Sequence, residues 1–391
     1  RLIGISIPVK ELELSGSIFH FGESFAAATS IWNNSENIPI TIHGGMDFFP
    51  AILSRLIFGS ENYFYPTIYF TYCLIPIITY SFFLLFINKI YDKKHSFISS
   101  IFLCIAAVST QYLFSIREFF LILTLFYLYK YLFEKDEKSY LSKDIFLIFF
   151  TSFGLLWSFD RGLAGFLTVV TTLLFRALLS KKTRDLKITL IIIIASLSLI
   201  HAVQFLGLLS YFENISFLFQ TSSQWNYQWK IKTTLAAILL SLFVIFSILI
   251  TGRAFFLKRN ADYKSYWIGM SLCSLIMLRI AINRIDLGHM FFAMWVPMIT
   301  SAFLFNSVEI KSFNKKDKIE TLTFALISST IFFFISKGGV IYGFLLTGFS
   351  TLMIWINSFS RFKRIKFITL NIATFFLIFL MLFNLKQFGY I

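Results

Sequence analysis

Residues 189–209 read TLIIIIASLSLIHAVQFLGLL, a stretch without a charged side chain. A helix needs about 20 mainly apolar residues to cross the roughly 30 Å hydrocarbon core of a bilayer. A spanning β-strand would be about ten residues long and would alternate strictly, and the run Ile191–Ile194 does not alternate. The stretch reads as a membrane-spanning helix. Working outward in both directions, the same pattern predicts spans at 66–89, 96–116, 119–133, 144–158, 162–180, 188–211, 231–251, 265–282, 290–307, 320–336, 340–358 and 367–386.

The expected fold is therefore all-α and polytopic, with about 12 transmembrane helices. Composition agrees: 57% of the 391 residues are hydrophobic, 14% are charged and 52 are phenylalanine. A soluble domain needs a polar coat that this chain cannot supply. Three cysteines exclude a disulfide scaffold; Cys73, Cys104 and Cys273 fall in apolar segments and read as packing residues.

The formal charge of +15 could mark a nucleic-acid binder, so its distribution decides. With helices alternating in direction, six loops (89–94, 130–143, 176–187, 253–264, 311–318 and 361–366) share one face. Together they hold 24 of the 35 Lys and Arg, whereas the 20 acids divide evenly between faces. One face carries +14 and the other +1. By the positive-inside rule the basic face is cytoplasmic. The charge orients the chain, and nucleic-acid binding has no support.

Residues 1–65 then form an extracytoplasmic segment ahead of a transmembrane domain at 66–391. An earlier transmembrane helix would have carried that segment across, making about 13 in all. Within it, Ile18, Phe21, Phe25, Ala28 and Trp32 follow helical spacing, so His20–Trp32 reads as an amphipathic interfacial helix. A second amphipathic run carries Phe48, Ile52 and Leu56, with Pro50 near its start. Between them, Thr41-Ile42-His43-Gly44-Gly45-Met46-Asp47 brings a His and an Asp to the head of that helix, where Asp47 also reads as a cap.

The nearly neutral face holds the candidate chemistry. Ile116-Arg117-Glu118, Phe159-Asp160-Arg161-Gly162 and Arg284-Ile285-Asp286-Leu287-Gly288-His289 are short mixed-sign clusters at helix ends, with Arg279 about a turn before the last. Ionisable groups at that depth face a cavity or a partner. His20 and Glu23 share the polar side of the first amphipathic helix. No P-loop, HExxH, CxxC or GxSxG is present. His201 reads as an interior histidine, and Asn214-Ile215-Ser216 matches the glycosylation sequon. The loop 220–229, with Gln224, Trp225, Gln228 and Trp229, combines the aromatic and amide groups that bind sugars or populate a membrane interface.

Transfer of a sugar from a lipid-linked donor needs a carboxylate to take the acceptor's proton. It also needs cations on the phosphate that leaves. Glu23 or Asp47 suits the first role. Arg117, Arg161, Arg279 and Arg284 suit the second, with His20, His43 and His289 beside them.

The pattern of His20-Phe21-Gly22-Glu23, His43-Gly44-Gly45-Met46-Asp47, Asp160-Arg161-Gly162 and 284–289 resembles the GT-C superfamily of integral-membrane glycosyltransferases. That resemblance implies two membrane-parallel helices in the first extracytoplasmic loop, with a catalytic Asp or Glu on it: here Glu23, with Asp47 close behind. It implies an inverting transferase of the bacterial cytoplasmic membrane, with its site toward the periplasm. The donor would be a polyprenyl-phosphate sugar and the acceptor a cell-envelope glycan or glycolipid. The resemblance implies that Asp160, Asp286 and His289 orient the arginines or help to hold a divalent cation, which is compatible with the superfamily and not required by this sequence. The competing readings are an O-antigen polymerase using undecaprenyl-pyrophosphate glycans and a non-catalytic lipid or solute transporter. A polymerase would carry its large outer loop late in the chain, and a transporter would spread ionisable groups through the midplane.

The orientation has a direct check. Cysteines placed at Asn34 and Lys316, in a variant whose own three are replaced, are expected to label from opposite sides of the membrane. Labelling from one side overturns the assignment.

Overall fold

The structure, a computed structural model, describes residues 43–59, 62–90, 116–134, 140–221 and 260–283, with separate positions of 234–252 and 293–300. Among the described residues every regular element is helical and there is no strand. The chain divides into two compact units, Arg1–Phe83 with Phe114–Trp225, and Leu84–Leu113 with Asn226–Ile391.

In the first unit, a 3-10 turn at Gly45–Asp47 leads into α1 (Phe49–Phe58). Next come α2 (Phe64–Tyr69), a π turn (Phe70–Leu74) and the start of α3 (Ile75–Ile90). The widened turn lies just ahead of Pro76, which has no N–H to continue the α ladder. A second 3-10 turn (Ile116–Glu118) opens α4 (Phe119–Phe133). Then follow α5 (Tyr140–Trp157), α6 (Phe159–Ser180), α7 (Thr183–Phe205) and α8 (Tyr211–Thr221). The second unit contributes α9 (Ala261–Asn283).

Three described helices are long and apolar enough to cross a membrane: α6, α7 and the first 22 residues of α9. The spans read at 66–89, 119–133, 144–158, 162–180, 188–211 and 265–282 all coincide with described helices, shifted by a few residues at their ends. Those at 320–336, 340–358 and 367–386 lie outside the described residues, as does 96–116 but for its last position. The amphipathic segment His20–Trp32 lies outside them too.

Helices α4 to α7 form an antiparallel bundle in which α5 and α6 each pack against the other three. The α5–α6 joint is unusually tight. Only Ser158, in extended conformation, separates the two helices. A Cβ on Gly162 would come 2.0 Å from the carbonyl oxygen of Gly154, so glycine is required for the two helices to meet.

One end of this bundle is tied by a polar network. Asp185, 1% exposed, accepts hydrogen bonds from the Tyr131 hydroxyl and, at 3.2 Å, from Arg176 Nη1. Arg184 grips Asp144 through both carboxylate oxygens at 2.7 and 2.8 Å. Lys143 donates to the Glu134 carbonyl at 3.0 Å. These contacts join α4 to α5, α5 to α7, and α7 to both α4 and α6. The loops involved are those that carry the basic excess.

The stretch 48–56 follows a different face from the one its apolar spacing predicts. Phe48, Ala51 and Ser54 are buried at 0% exposure, whereas Leu56 is 67% exposed together with Leu53 and Ile57. Small side chains at positions 51 and 54 let the α1 backbone approach, and Phe48 and Ala51 join a core with Leu156, Phe159, Val203 and Tyr211. His201 is exposed on α7 rather than interior. Asn214 is fully buried and donates to the Ser210 carbonyl at 2.7 Å, so the sequon is closed to modification. Cys273 is buried, as a packing cysteine should be.

In the second unit, the Trp267 indole donates to the Ile248 carbonyl at 3.2 Å and to Thr251 Oγ1 at 3.1 Å. It also occupies the space a Cβ on Gly252 would need.

Asp185→Ala removes the acceptor shared by Tyr131 and Arg176. Breaking one side of a buried charged pair costs about 3–5 kcal/mol, so thermal unfolding of the variant in nanodiscs should fall well below wild type. An unchanged midpoint would show that this network carries no weight.

Candidate functional site

The other end of the bundle gathers three of the sequence clusters. It collects the N-termini of α1, α4 and α6 and the C-terminus of α5. The four N–H groups that open a helix lack intrahelical partners, and they favour negative charge nearby. Each of the three N-termini carries one carboxylate: Asp47 ahead of α1, Glu118 ahead of α4 and Asp160 in the first turn of α6.

The loop 43–47 closes on itself and on α6. Asp47 Oδ2 accepts the His43 N–H at 3.1 Å, and the Asp47 N–H donates to the Gly44 carbonyl at 3.1 Å. The His43 carbonyl accepts the Phe159 N–H at 3.0 Å, satisfying an opening donor of α6. Gly44 makes the turn with φ +109°, a conformation that L side chains rarely adopt. Its position also lies against the last carbonyls of α5: an added Cβ would meet Leu156 O and Trp157 O at 3.1 Å. This loop therefore caps one helix, rests on another and begins a third.

Behind it lies an ion chain. Arg161 is 0% exposed and its Nε donates to Glu118 Oε1 at 3.0 Å, with Glu118 equally buried. Arg161 Nη1 also pairs with Asp160 Oδ2. Asp160 Oδ1 accepts the Ser158 hydroxyl and the Arg161 backbone N–H, both at 2.7 Å. Arg117, half-buried, hydrogen-bonds His43 Nε2. Since a guanidinium only donates, the imidazole nitrogen is the acceptor in this contact. Burial lowers the Arg117 pKa from the ordinary arginine value; Arg161 lowers it further, while Asp160, Glu118 and Asp47 raise it.

An aromatic wall backs the cluster. The Trp157 indole donates to the Ile116 carbonyl at 2.8 Å and lies 5.2 Å from the Phe120 ring and 6.5 Å from that of Phe49. With Met46 these residues form one buried cluster. The sequence 157–161 thus supplies in five consecutive positions a wall, a joint, an exposed carboxylate and a buried cation.

Of the residues read as a site, His43, Asp47, Arg117, Asp160 and Arg161 come together here. Arg279 lies near the end of α9 in the other unit, with its side chain exposed. His20, Glu23, Arg284, Asp286 and His289 fall outside the described residues. Glu118, Ser158 and Trp157 also belong to the cluster; the sequence marks Glu118 only as part of the mixed-sign cluster 116–118, with no role of its own, and does not mark Ser158 or Trp157. Glu118 had one signal, a charge set immediately before a fifteen-residue apolar helix. Among the described residues no group of three or more His, Cys, Asp or Glu has metal-binding geometry. Compared with family models, curated proteins and solved structures, the chain finds no match.

Arg161→Met removes the cation facing Glu118 and should destabilise by about 3–5 kcal/mol. The double variant Arg161→Met/Glu118→Gln should recover part of that loss, because the fully buried Glu118 charge is then gone and only the part-open Asp160 is left without its cation. Equal midpoints for single and double variants would contradict this account of the pair.

Proposed function

We propose that the protein is a membrane glycosyltransferase of GT-C type, moving a sugar from a polyprenyl-phosphate donor to a cell-envelope glycan or glycolipid. The observation that carries the reading is the convergence at one bundle end of carboxylates, guanidiniums and a histidine drawn from three separate stretches. They meet beside helices long and apolar enough to cross a membrane. A lipid donor has this geometry of need: its phosphate sits at the interface, while its tail requires an apolar surface alongside.

In this reading about 12 helices cross the cytoplasmic membrane of a bacterium. The clustered end faces the periplasm. Glu23 or Asp47 takes the proton from the attacking hydroxyl. Arg117 holds the phosphate as it leaves. Arg161 fits a supporting position better than a phosphate ligand, because two carboxylates already engage its guanidinium. A divalent cation remains compatible with this chemistry and is not needed to describe it.

The test is transfer by the purified protein in nanodiscs from a polyprenyl-phosphate sugar to a cell-envelope glycan. Glu23→Gln or Asp47→Asn should lower kcat by about 100-fold or more while donor binding persists. Arg117→Ala should weaken donor binding instead. Full activity in both carboxylate variants removes the general-base assignment, and wild-type protein that transfers no sugar removes the reading as a whole.

A further inference from the structure

The three carboxylates at the clustered end differ in what their oxygens are doing. Asp47 is 5% exposed and accepts a backbone N–H of its own loop. Glu118 is 0% exposed and faces Arg161. Asp160 alone keeps its side chain about a third open, at 32% exposure. It is also held by three donors: the Ser158 hydroxyl, the Arg161 backbone N–H, and the Arg161 guanidinium on its other oxygen.

Arg161 cannot turn away from it. The guanidinium is pinned from behind by Glu118 across the α4–α6 contact, and the backbone of the same residue is the second turn-opening donor to Asp160. The order Glu118, Arg161, Asp160 therefore runs from a fully buried anion, through a fully buried cation, to a carboxylate with an open side. Three donors fill three of the roughly four lone-pair sites of the carboxylate, and each favours its charged form. Such a carboxylate is a fixed negative charge rather than a proton acceptor.

We propose that Asp160 is an electrostatic catalytic residue of the sugar transfer, and that Glu118 is its positioning residue, acting through Arg161. This rests on the glycosyl-transfer reading above. In that reaction the bond from the anomeric carbon to the phosphate oxygen breaks, and its electron pair leaves on the polyprenyl phosphate. The acceptor oxygen bonds to the anomeric carbon, and its proton passes to the general base, Glu23 or Asp47. Bond breaking runs ahead of bond making, so positive charge develops on the anomeric carbon and ring oxygen. A preoriented anion stabilises that charge without reorganising during the step. Asp160 neither takes a proton nor forms a bond.

The experiment is steady-state kinetics of the full chain in nanodiscs, with a polyprenyl-phosphate sugar as donor, across a range of pH. Asp160→Asn should lower kcat by about 100-fold or more at every pH, with KM within about threefold and the acid limb of the pH profile unmoved. Glu118→Gln should lower kcat by about tenfold with the same unmoved limb, and Glu118→Asp should restore part of it. If Glu118→Gln fails to fold, Asp160→Asn decides alone. An Asp160→Asn enzyme near wild-type kcat overturns the inference. So does one whose acid limb disappears, since Asp160 would then be the base. Either result leaves the glycosyl-transfer reading standing. Only wild-type protein that transfers no sugar takes both down.

Discussion

Arg161 is wholly shut away from the surface, at 0% exposure, and the geometry of the clustered end follows from that. A buried guanidinium needs anions and acceptors placed to match its planar donors. Glu118 supplies one from the start of α4 and Asp160 another from the position just before it on the same helix. Meeting both requires α4 and α6 to begin at the same level. It also requires α5 to end there, since a single residue joins α5 to α6. The loop 43–47 then completes the end, its His43 carbonyl accepting the Phe159 N–H at the start of α6. One desolvated cation sets the register of three helix ends and one loop.

The far end of the bundle solves the same physical problem with different residues. Arg176 lies fifteen positions after Arg161 on α6, about four helical turns and so about 22 Å along the axis. It meets Asp185 and the Tyr131 ring there. Between the two arginines the buried face of α6 carries Gly165, Thr168 and Thr172. Both threonines spend their hydroxyl protons on carbonyls of their own helix, which satisfies them without another segment. The buried face of α6 is therefore satisfied within its own helix through its middle and charged at both ends. Exposed leucines and isoleucines on α6 and α7 complete the arrangement expected of helices whose outer faces meet lipid.

Much of this was legible because membrane helices announce themselves by length and apolarity alone. The helix at Phe119–Phe133 has the bounds its composition predicts, and the mixed-sign clusters at 116–118 and 159–162 do sit at helix starts. What the sequence could not rank was which charge is buried. Arg117 and Glu118 look equivalent as neighbours. Yet a 3-10 turn points Glu118 inward to Arg161 and leaves Arg117 half-open beside His43. Periodicity failed at α1 for a related reason. Apolar residues fall on two faces there, and the small residues Ala51 and Ser54, not the larger Leu56, choose the face that packs. On α7, His201 was misread because a polar residue in an apolar run could face either way. Only the packing of Ile200 and Val203 against α1, α5 and α6 turns it outward.

The contrast between the two ends gives the division of labour its physical meaning. Where basic residues are in excess, ion pairs such as Arg184 with Asp144 tie helix to helix at the surface, while Lys181, Lys182 and Lys187 remain exposed. Their role needs only charge near a membrane surface. At the nearly neutral end the charges are matched and mostly withdrawn from solvent, which is costly and weakens the case for a purely stabilising role. An apolar packing of similar volume would hold α4 to α6 at less expense. The arrangement gains something apolar packing cannot provide: a carboxylate fixed in position by a buried cation yet open on one side. That asymmetry makes Asp160, more than the better-buried Asp47 or Glu118, the group on which a reacting centre at this end would depend.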